Sequence, residues 1–192
     1  MKYKATFQDE YLINSNLLGA QTIDELEQLE KVAFYIVEGL MQEEGYDFLF
    51  PLSVSSIKLL HKKLFERIYS FAGEIRDVSL MKENTRFCEP QYINTNLNKL
   101  IEEFKLEDEW SDIKVAAEKL AYYKIELNMI HPFREGNGRT IRLIVREIAK
   151  LKGYEWRTDL LDRENYIDAM KKSIWNEEAL IKIFENTLFT LK

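Results

Sequence analysis

Between residues 113 and 130, apolar side chains recur every three to four positions: Ile113, Ala116/Ala117, Leu120, Tyr123, Leu127 and Ile130. This is the period of one buried helix face. Pro132 lies two residues beyond and stops the helix, because a proline ring does not fit a helix interior. A second apolar helix is predicted from about Gly136 to Leu151, with Gly153 as its C-cap. Two core helices joined by so short a loop commit the chain to a helical domain. Composition agrees: 7 glycines and 3 prolines in 192 residues are too few for the many tight turns of an all-β protein. With 46 % hydrophobic residues, the chain can fill a core.

Residues 1–21 read as an irregular N-terminal arm with a turn near Gly19, and residues 22–192 as a single domain. Thr22 and Glu25 form a capping-box pattern ahead of a helix reaching about Leu40, with Leu26, Leu29, Ala33 and Ile36/Val37 on its apolar face. A second helix opens at Ser53 and runs to about Phe71, with Ile57, Leu60/His61, Leu64 and Ile68 inward. Segments 75–81 and 86–88, around the polar turn Lys82-Glu83-Asn84-Thr85, predict one short β-hairpin. Helices over 91–106, from a Ser111 cap, over 136–151, 163–173 and 176–188 complete an all-α architecture of about seven helices with one hairpin.

Lys and Arg total 27 against 33 Asp and Glu, a net charge of −6, which disfavours direct nucleic-acid binding through phosphate neutralisation. The single cysteine, Cys88, excludes an intrachain disulfide and a cysteine-built zinc site; it reads as a small buried residue. The longest apolar run, residues 32–37, is far short of the roughly 20 residues a membrane helix needs. The N-terminus lacks the apolar core of a secretory signal. A cytoplasmic protein with no membrane association is the expectation.

Residues 131–142, His-Pro-Phe-Arg-Glu-Gly-Asn-Gly-Arg-Thr-Ile-Arg, carry the chemistry. A helix starts inside this run, so its first-turn N–H groups and dipole offer an anion site. Gly136 and Gly138 allow backbone conformations closed to other residues and let a ligand approach the main chain. Arg139 and Arg142, three residues apart, project from one helix face and suit a polyphosphate. Glu135 beside the nest is placed to hold Mg²⁺ together with phosphate oxygens. His131 titrates near neutrality and can take a proton from an attacking hydroxyl. Base, metal ligand, nest and clamp together predict phosphoryl or nucleotidyl transfer. Taken singly, each has a plain structural reading: a loop histidine, a glycine turn, a solvated arginine face, a helix-start carboxylate.

The run matches the Fic motif, HPFx(D/E)GNGRxxR, at every fixed position. Leu17-Leu18-Gly19, Leu64-Phe65 with Tyr69, residues 71–76 (Phe-Ala-Gly-Glu-Ile-Arg), Thr85-Arg86-Phe87 and Ala169-Met170 also resemble Fic-domain landmarks, over roughly residues 15–190. The resemblance implies the Fic fold and transfer of AMP from ATP to a Ser, Thr or Tyr hydroxyl of a target protein. Carried over by position, it makes His131 the general base, Phe133 a core anchor and Glu135 the Mg²⁺ ligand. It makes Gly136, Asn137 and Gly138 the anion hole, with Asn137 near the α-phosphate. Arg139 then holds the outer phosphates and Arg142 the γ-phosphate. The Doc branch, which transfers phosphate, has lysine where this chain has Gly138, so Gly138 with Arg139 points to the adenylylating branch. The hairpin resembles the family's flap, which pairs with an extended target segment, and Met81 and Lys82 at its tip are the candidate target contacts. Rival readings are phosphate transfer or AMP removal by the same fold, and a non-catalytic nucleotide-binding or interaction domain. The intact set His131, Glu135, Asn137 and Arg139 argues against the last.

Many Fic proteins resemble one another in an inhibitory helix, (S/T)xxxE(G/N), whose glutamate pairs with the second motif arginine, here Arg142. The pattern occurs once, from Ser79 to Asn84, inside the predicted hairpin rather than a helix. The last predicted helix ends about four residues before Lys192, leaving the expectation that no inhibitory helix follows it. The resemblance to the toxin class of the family therefore implies a small antitoxin supplied in trans. Its expected docking site is the N-terminal arm and first helix, with Glu25, Glu27 and Glu30 read otherwise as a solvated face. Toxin-class relatives also point to a type II topoisomerase subunit as target.

Overall fold

The computed structural model describes residues 6–82 and 85–191. The chain forms two compact units, Met1–Ile101 with Ile130–Thr140, and Glu102–Met129 with Ile141–Lys192. No helix of the described residues is long and apolar enough to cross a membrane. The fold is mainly helical, as its sequence predicts, with eight helices among the described residues.

In the first unit, α1 (Thr6–Ser15) and α2 (Ile23–Glu44) precede α3 (Val54–Phe65). Helix α1 falls where the sequence reads as an irregular arm. Its stripe is weak, and it forms through tertiary contacts: Leu12 is buried, the Tyr11 ring packs 5.7 Å from Phe71, and Gln8 Nε2 donates to the Arg134 carbonyl. Thr22 caps α2 as predicted, its hydroxyl accepting from the Glu25 N–H, while the Glu25 carboxylate reaches back to the N–H of Gln21. The buried face of α2 matches the predicted one at Leu26 but otherwise differs, with Ala33 and Val37 half-buried. Leu26, Glu30, Phe34 and Met41 point inward, whereas Leu29 and Ile36 are exposed. Glu30 is 4 % exposed and so is not part of a solvated face. Helix α3 buries Ile57, Leu60, His61 and Leu64 as read, but stops at Phe65; the chain then turns twice before Gly73.

The hairpin is present and short: β1 (Met81–Lys82) pairs antiparallel with β2 (Thr85–Arg86), Met81 opposite Arg86 and Lys82 opposite Thr85. Residues 75–80 form no ladder, and the chain bends at Val78. Glu83 and Asn84, which complete both the predicted turn and the chance inhibitor pattern, lie outside the described residues. Glu89 closes the base of the hairpin, accepting from Ser79 Oγ at 2.6 Å and Arg86 Nε at 2.8 Å. Cys88 is half-buried rather than buried, with Asn96 Nδ2 donating to its sulfur.

Helix α4 (Ile93–Lys105) continues into the second unit, which holds most of α5 (Ile113–Ile130) and α6 (Asn137–Leu151). The α5 stripe is buried as read, with Ala116, Ala117, Leu120 and Ala121 at 0 % exposure. Its cap is Asp112, not Ser111: the Asp112 carboxylate accepts from the N–H groups of Lys114 and Val115, and Ser111 donates to that carboxylate. Helices α7 (Arg163–Lys172) and α8 (Glu178–Thr187) follow. A second antiparallel pair, β3 (Tyr154–Trp156) with β4 (Leu188–Thr190), was not visible in the sequence.

Candidate active site

The loop between α5 and α6 opens with His131 at φ 47°, the one non-glycine residue with positive φ among the described residues. Such a conformation needs outside support, because its Cβ meets the following carbonyl. Arg76 supplies it. Buried to 3 % exposure, its Nε donates to the His131 carbonyl at 2.7 Å and its Nη2 to the Ile130 carbonyl at 3.2 Å. The same guanidinium donates to the carbonyls of Val78 and Cys88, on either side of the hairpin. The His131 ring lies flat against Phe87, centroids 3.7 Å apart and planes 10° off parallel. His131 and the hairpin are thus fixed to one another through Arg76 and Phe87.

Phe133 is fully buried and stacks on His61 with centroids 3.8 Å apart, matching its expected role as anchor. His61 does more than fill the core. The Gly73 N–H donates to its Nδ1 at 2.8 Å, so the ring's proton sits on Nε2, which donates to the Glu135 carbonyl at 3.0 Å. Burial drives the His61 imidazole down to about 4, against the pull of that carbonyl, and the charge of Arg139 adds to the shift. A neutral His61 therefore pins the loop at the residue before the nest. Spacing alone does not reveal this, because His61 falls on an apolar stripe.

Asn137 opens α6 with its side chain turned inward: Oδ1 accepts from the Phe133 N–H at 2.8 Å, and Nδ2 donates to the Phe133 carbonyl at 2.6 Å. Its amide thus staples the loop through both Oδ1 and Nδ2. The first bond of the helix runs from the Thr140 N–H to the Gly136 carbonyl at 3.0 Å, leaving the N–H groups of residues 137–139 ahead of the helical ladder. Gly136 has φ 80°, and a Cβ there would come within 2.6 Å of the Phe65 ring. Gly138 has open space instead.

Arg139 is held on several sides. Its Nη2 donates to Glu30 Oε1 at 2.6 Å, and Glu135 Oε1 stands 3.7 Å from the same nitrogen. Its guanidinium carbon lies 5.1 Å from the Phe34 centroid and 4.8 Å from that of Phe65. Glu135 is a hard oxygen donor with its side chain 14 % exposed, beside the free N–H groups. The described residues hold no group of three His, Cys, Asp or Glu able to bind a metal unaided. A Mg²⁺ ion at Glu135 fits this donor set only together with phosphate oxygens, its usual mode.

Arg142 lies on the same helix face as Arg139, in the second unit. Near it is Lys124, which no sequence motif marks. Lys124 is 3 % exposed, its Nζ 5.7 Å from the Tyr166 centroid; burial, helped by Arg142, pushes its ammonium down to about 7. Met81 and Lys82 are exposed on β1.

The sequence pattern of the Fic/DOC family matches residues 51–149, and with it the whole loop just described. The chain belongs to the Fic/DOC family. It is 31 % identical over 168 residues to the protein adenylyltransferase VbhT of Bartonella schoenbuchensis, a match spanning 86 % of this chain and 35 % of VbhT. It is 34 % identical over 131 residues to the probable protein adenylyltransferase y4lH of Sinorhizobium fredii, spanning 67 % of this chain and 68 % of that one. The chain thus spans about a third of the length of one of these Fic relatives and two thirds of the other. Among solved structures, the BepC protein of Bartonella tribocorum with bound AMPPNP superposes with a TM-score of 0.81 over 92 % of each chain. At 19 % identity, that likeness establishes the Fic fold.

Proposed function

We propose that this Fic protein is a protein adenylyltransferase, moving AMP from ATP to a Ser, Thr or Tyr hydroxyl of a target protein. The observation that carries the reading is the complete motif on a loop braced by Arg76, His61 and Asn137, with uncommitted N–H groups at the start of α6. The relatives named above as adenylyltransferases, and the AMPPNP in BepC, support the same reading.

His131 takes the proton from the target hydroxyl as its oxygen attacks the α-phosphorus. The bond from that phosphorus to the bridging oxygen breaks, and pyrophosphate leaves toward Arg139 and Arg142. The N–H groups of residues 137–139 hold the charge that builds on the phosphoryl oxygens. Mg²⁺, held by Glu135 and phosphate oxygens, supplies Lewis-acid polarisation. The target segment pairs along the hairpin near Met81 and Lys82. The Arg76 clamp and the Phe87 stack set where its hydroxyl meets His131.

Labelled ATP tests this in bacterial lysate. Label from the α-position is expected on a protein band, none from the γ-position, and none from either with His131→Ala, which still binds ATP. γ-Label on the target would establish phosphate transfer instead. Modification retained by His131→Ala would revive the non-catalytic reading.

We also propose that an antitoxin restrains the protein. The support is an apolar stripe on α2 outside the core, Leu29, Val32, Ile36 and Leu40, each between 38 % and 59 % exposed. Bacterial growth on expression of the chain alone is the check: arrest is expected, relieved by His131→Ala. Normal growth with full transferase activity excludes an antitoxin. A type II topoisomerase subunit is the proposed target.

A further inference from the structure

We propose that Glu30, on α2 and ahead of residues 51–149, which the family pattern matches, is a positioning residue for Arg139. The inference rests on the reading that Arg139 grips the outer phosphates of ATP. Glu30 is 4 % exposed. Its Oε1 accepts two hydrogen bonds, from Arg139 Nη2 at 2.6 Å and from the Tyr69 hydroxyl at 2.9 Å. Burial and the Glu30 charge push the Tyr69 hydroxyl far up, so it stays protonated and keeps donating. With the Phe34 and Phe65 rings beside it, Arg139 is confined to one orientation, its side chain 22 % exposed. Only Nη2 is engaged by Glu30, which leaves the rest of the guanidinium fork to a ligand.

Two effects of this carboxylate oppose one another. Its negative charge weakens the attraction of Arg139 for phosphate. Its hydrogen bond removes the rotamer freedom that a long side chain would otherwise lose on binding. The contact is short, doubly hydrogen-bonded and buried, and a guanidinium binds phosphate through directional paired bonds. Orientation therefore outweighs the loss of charge. Glu30→Ala should then weaken ATP binding about tenfold, the scale of one charge-assisted hydrogen bond. AMP, which has no outer phosphates, should bind as before.

The test is titration of the full chain with ATP and with AMP, each with Mg²⁺. Glu30→Ala and Glu30→Asp, the second one methylene short, are expected to lose ATP affinity selectively. Glu30→Gln keeps an acceptor of the same length and should stay within about threefold of wild type. Should the alanine variant not fold, the contrast between Asp and Gln decides alone. ATP affinity unchanged or tighter in Glu30→Asp or Glu30→Ala overturns the proposal, as does a parallel loss of AMP affinity. Arg139→Ala separates the two layers. If it too leaves ATP binding intact, both the phosphate role of Arg139 and the role of Glu30 fall. If it weakens ATP while the Glu30 variants do not, only the role of Glu30 falls.

Discussion

A Cβ placed on Gly136 would lie 2.6 Å from two carbons of the Phe65 ring, on a backbone with φ 80°. Left-handed backbone costs an L-residue roughly 1–2 kcal/mol, and forcing a methyl into a packed ring roughly 1–3 kcal/mol. Gly136→Ala should therefore lose about 2–4 kcal/mol, a large share of a typical domain's stability. Gly138 has nothing within 4 Å and lies inside α6, so Gly138→Ala should leave stability within about 0.5 kcal/mol. Urea unfolding midpoints of the two variants check the contrast; equal midpoints would show that Phe65 moves aside freely. In the sequence the two glycines looked alike, because spacing shows where backbone freedom is available and not where it is used. Local chemistry was legible in the same way: histidine, proline, carboxylate and glycines in order marked the loop. What Asn137, His61 and Glu30 do was not. Asn137 turns back on Phe133, and His61 and Glu30 reach the loop from helices 74 and 109 positions away.

Helices with a pure apolar stripe were read to within a few residues, α5 and α6 best, since proline and glycine punctuate them. Helix α2 shows where that reading fails. Its length and cap were legible, but its inward face carries Glu30 between Leu26 and Phe34. A carboxylate on the buried face splits the hydrophobic pattern and shifts the apparent stripe toward Leu29 and Ile36, which are exposed. The buried charge is tolerated because Arg139 and Tyr69 satisfy it. Helix α1 failed for the opposite reason, since its order comes from Leu12, Tyr11 and Gln8 finding distant partners. Strands β3 and β4 are three residues each, too short for an alternating pattern to stand out. The hairpin strands are shorter still, at two residues each, yet Arg76 ties the carbonyls on both sides of the hairpin to those of Ile130 and His131. The hairpin and the loop that opens at His131 thus share one buried cation. The motif did not show this, because Arg76 lies 55 residues before His131.

Over the whole chain, two buried bases are among the groups that make stability follow pH. His61 stays neutral in the folded protein down to about 4, whereas unfolded it takes a proton near 6.5. Between those values the unfolded chain binds more protons, so stability falls as pH drops from about 6.5 to about 4. Lys124 behaves alike at higher pH. Its folded value is about 7 against an ordinary 10.5, so its contribution is intact above pH 10.5 and is lost as pH falls to about 7. Below that, a buried ammonium sits beside Arg142, offset by the face of Tyr166. Replacing a buried ion pair by apolar side chains of similar volume often stabilises by about 1–4 kcal/mol, and a buried ammonium beside a second cation has at least as much to gain. Lys124→Met should therefore be more stable than wild type below pH 7 by an amount in that range. The gap should narrow through pH 7 to 10.5 as the wild-type lysine deprotonates in the fold. Urea midpoints of both proteins across pH 5 to 10 measure it. A gap independent of pH would mean that Lys124 titrates at its ordinary value. A variant less stable than wild type at every pH would mean that the ammonium, despite Arg142, is held by a favourable partner.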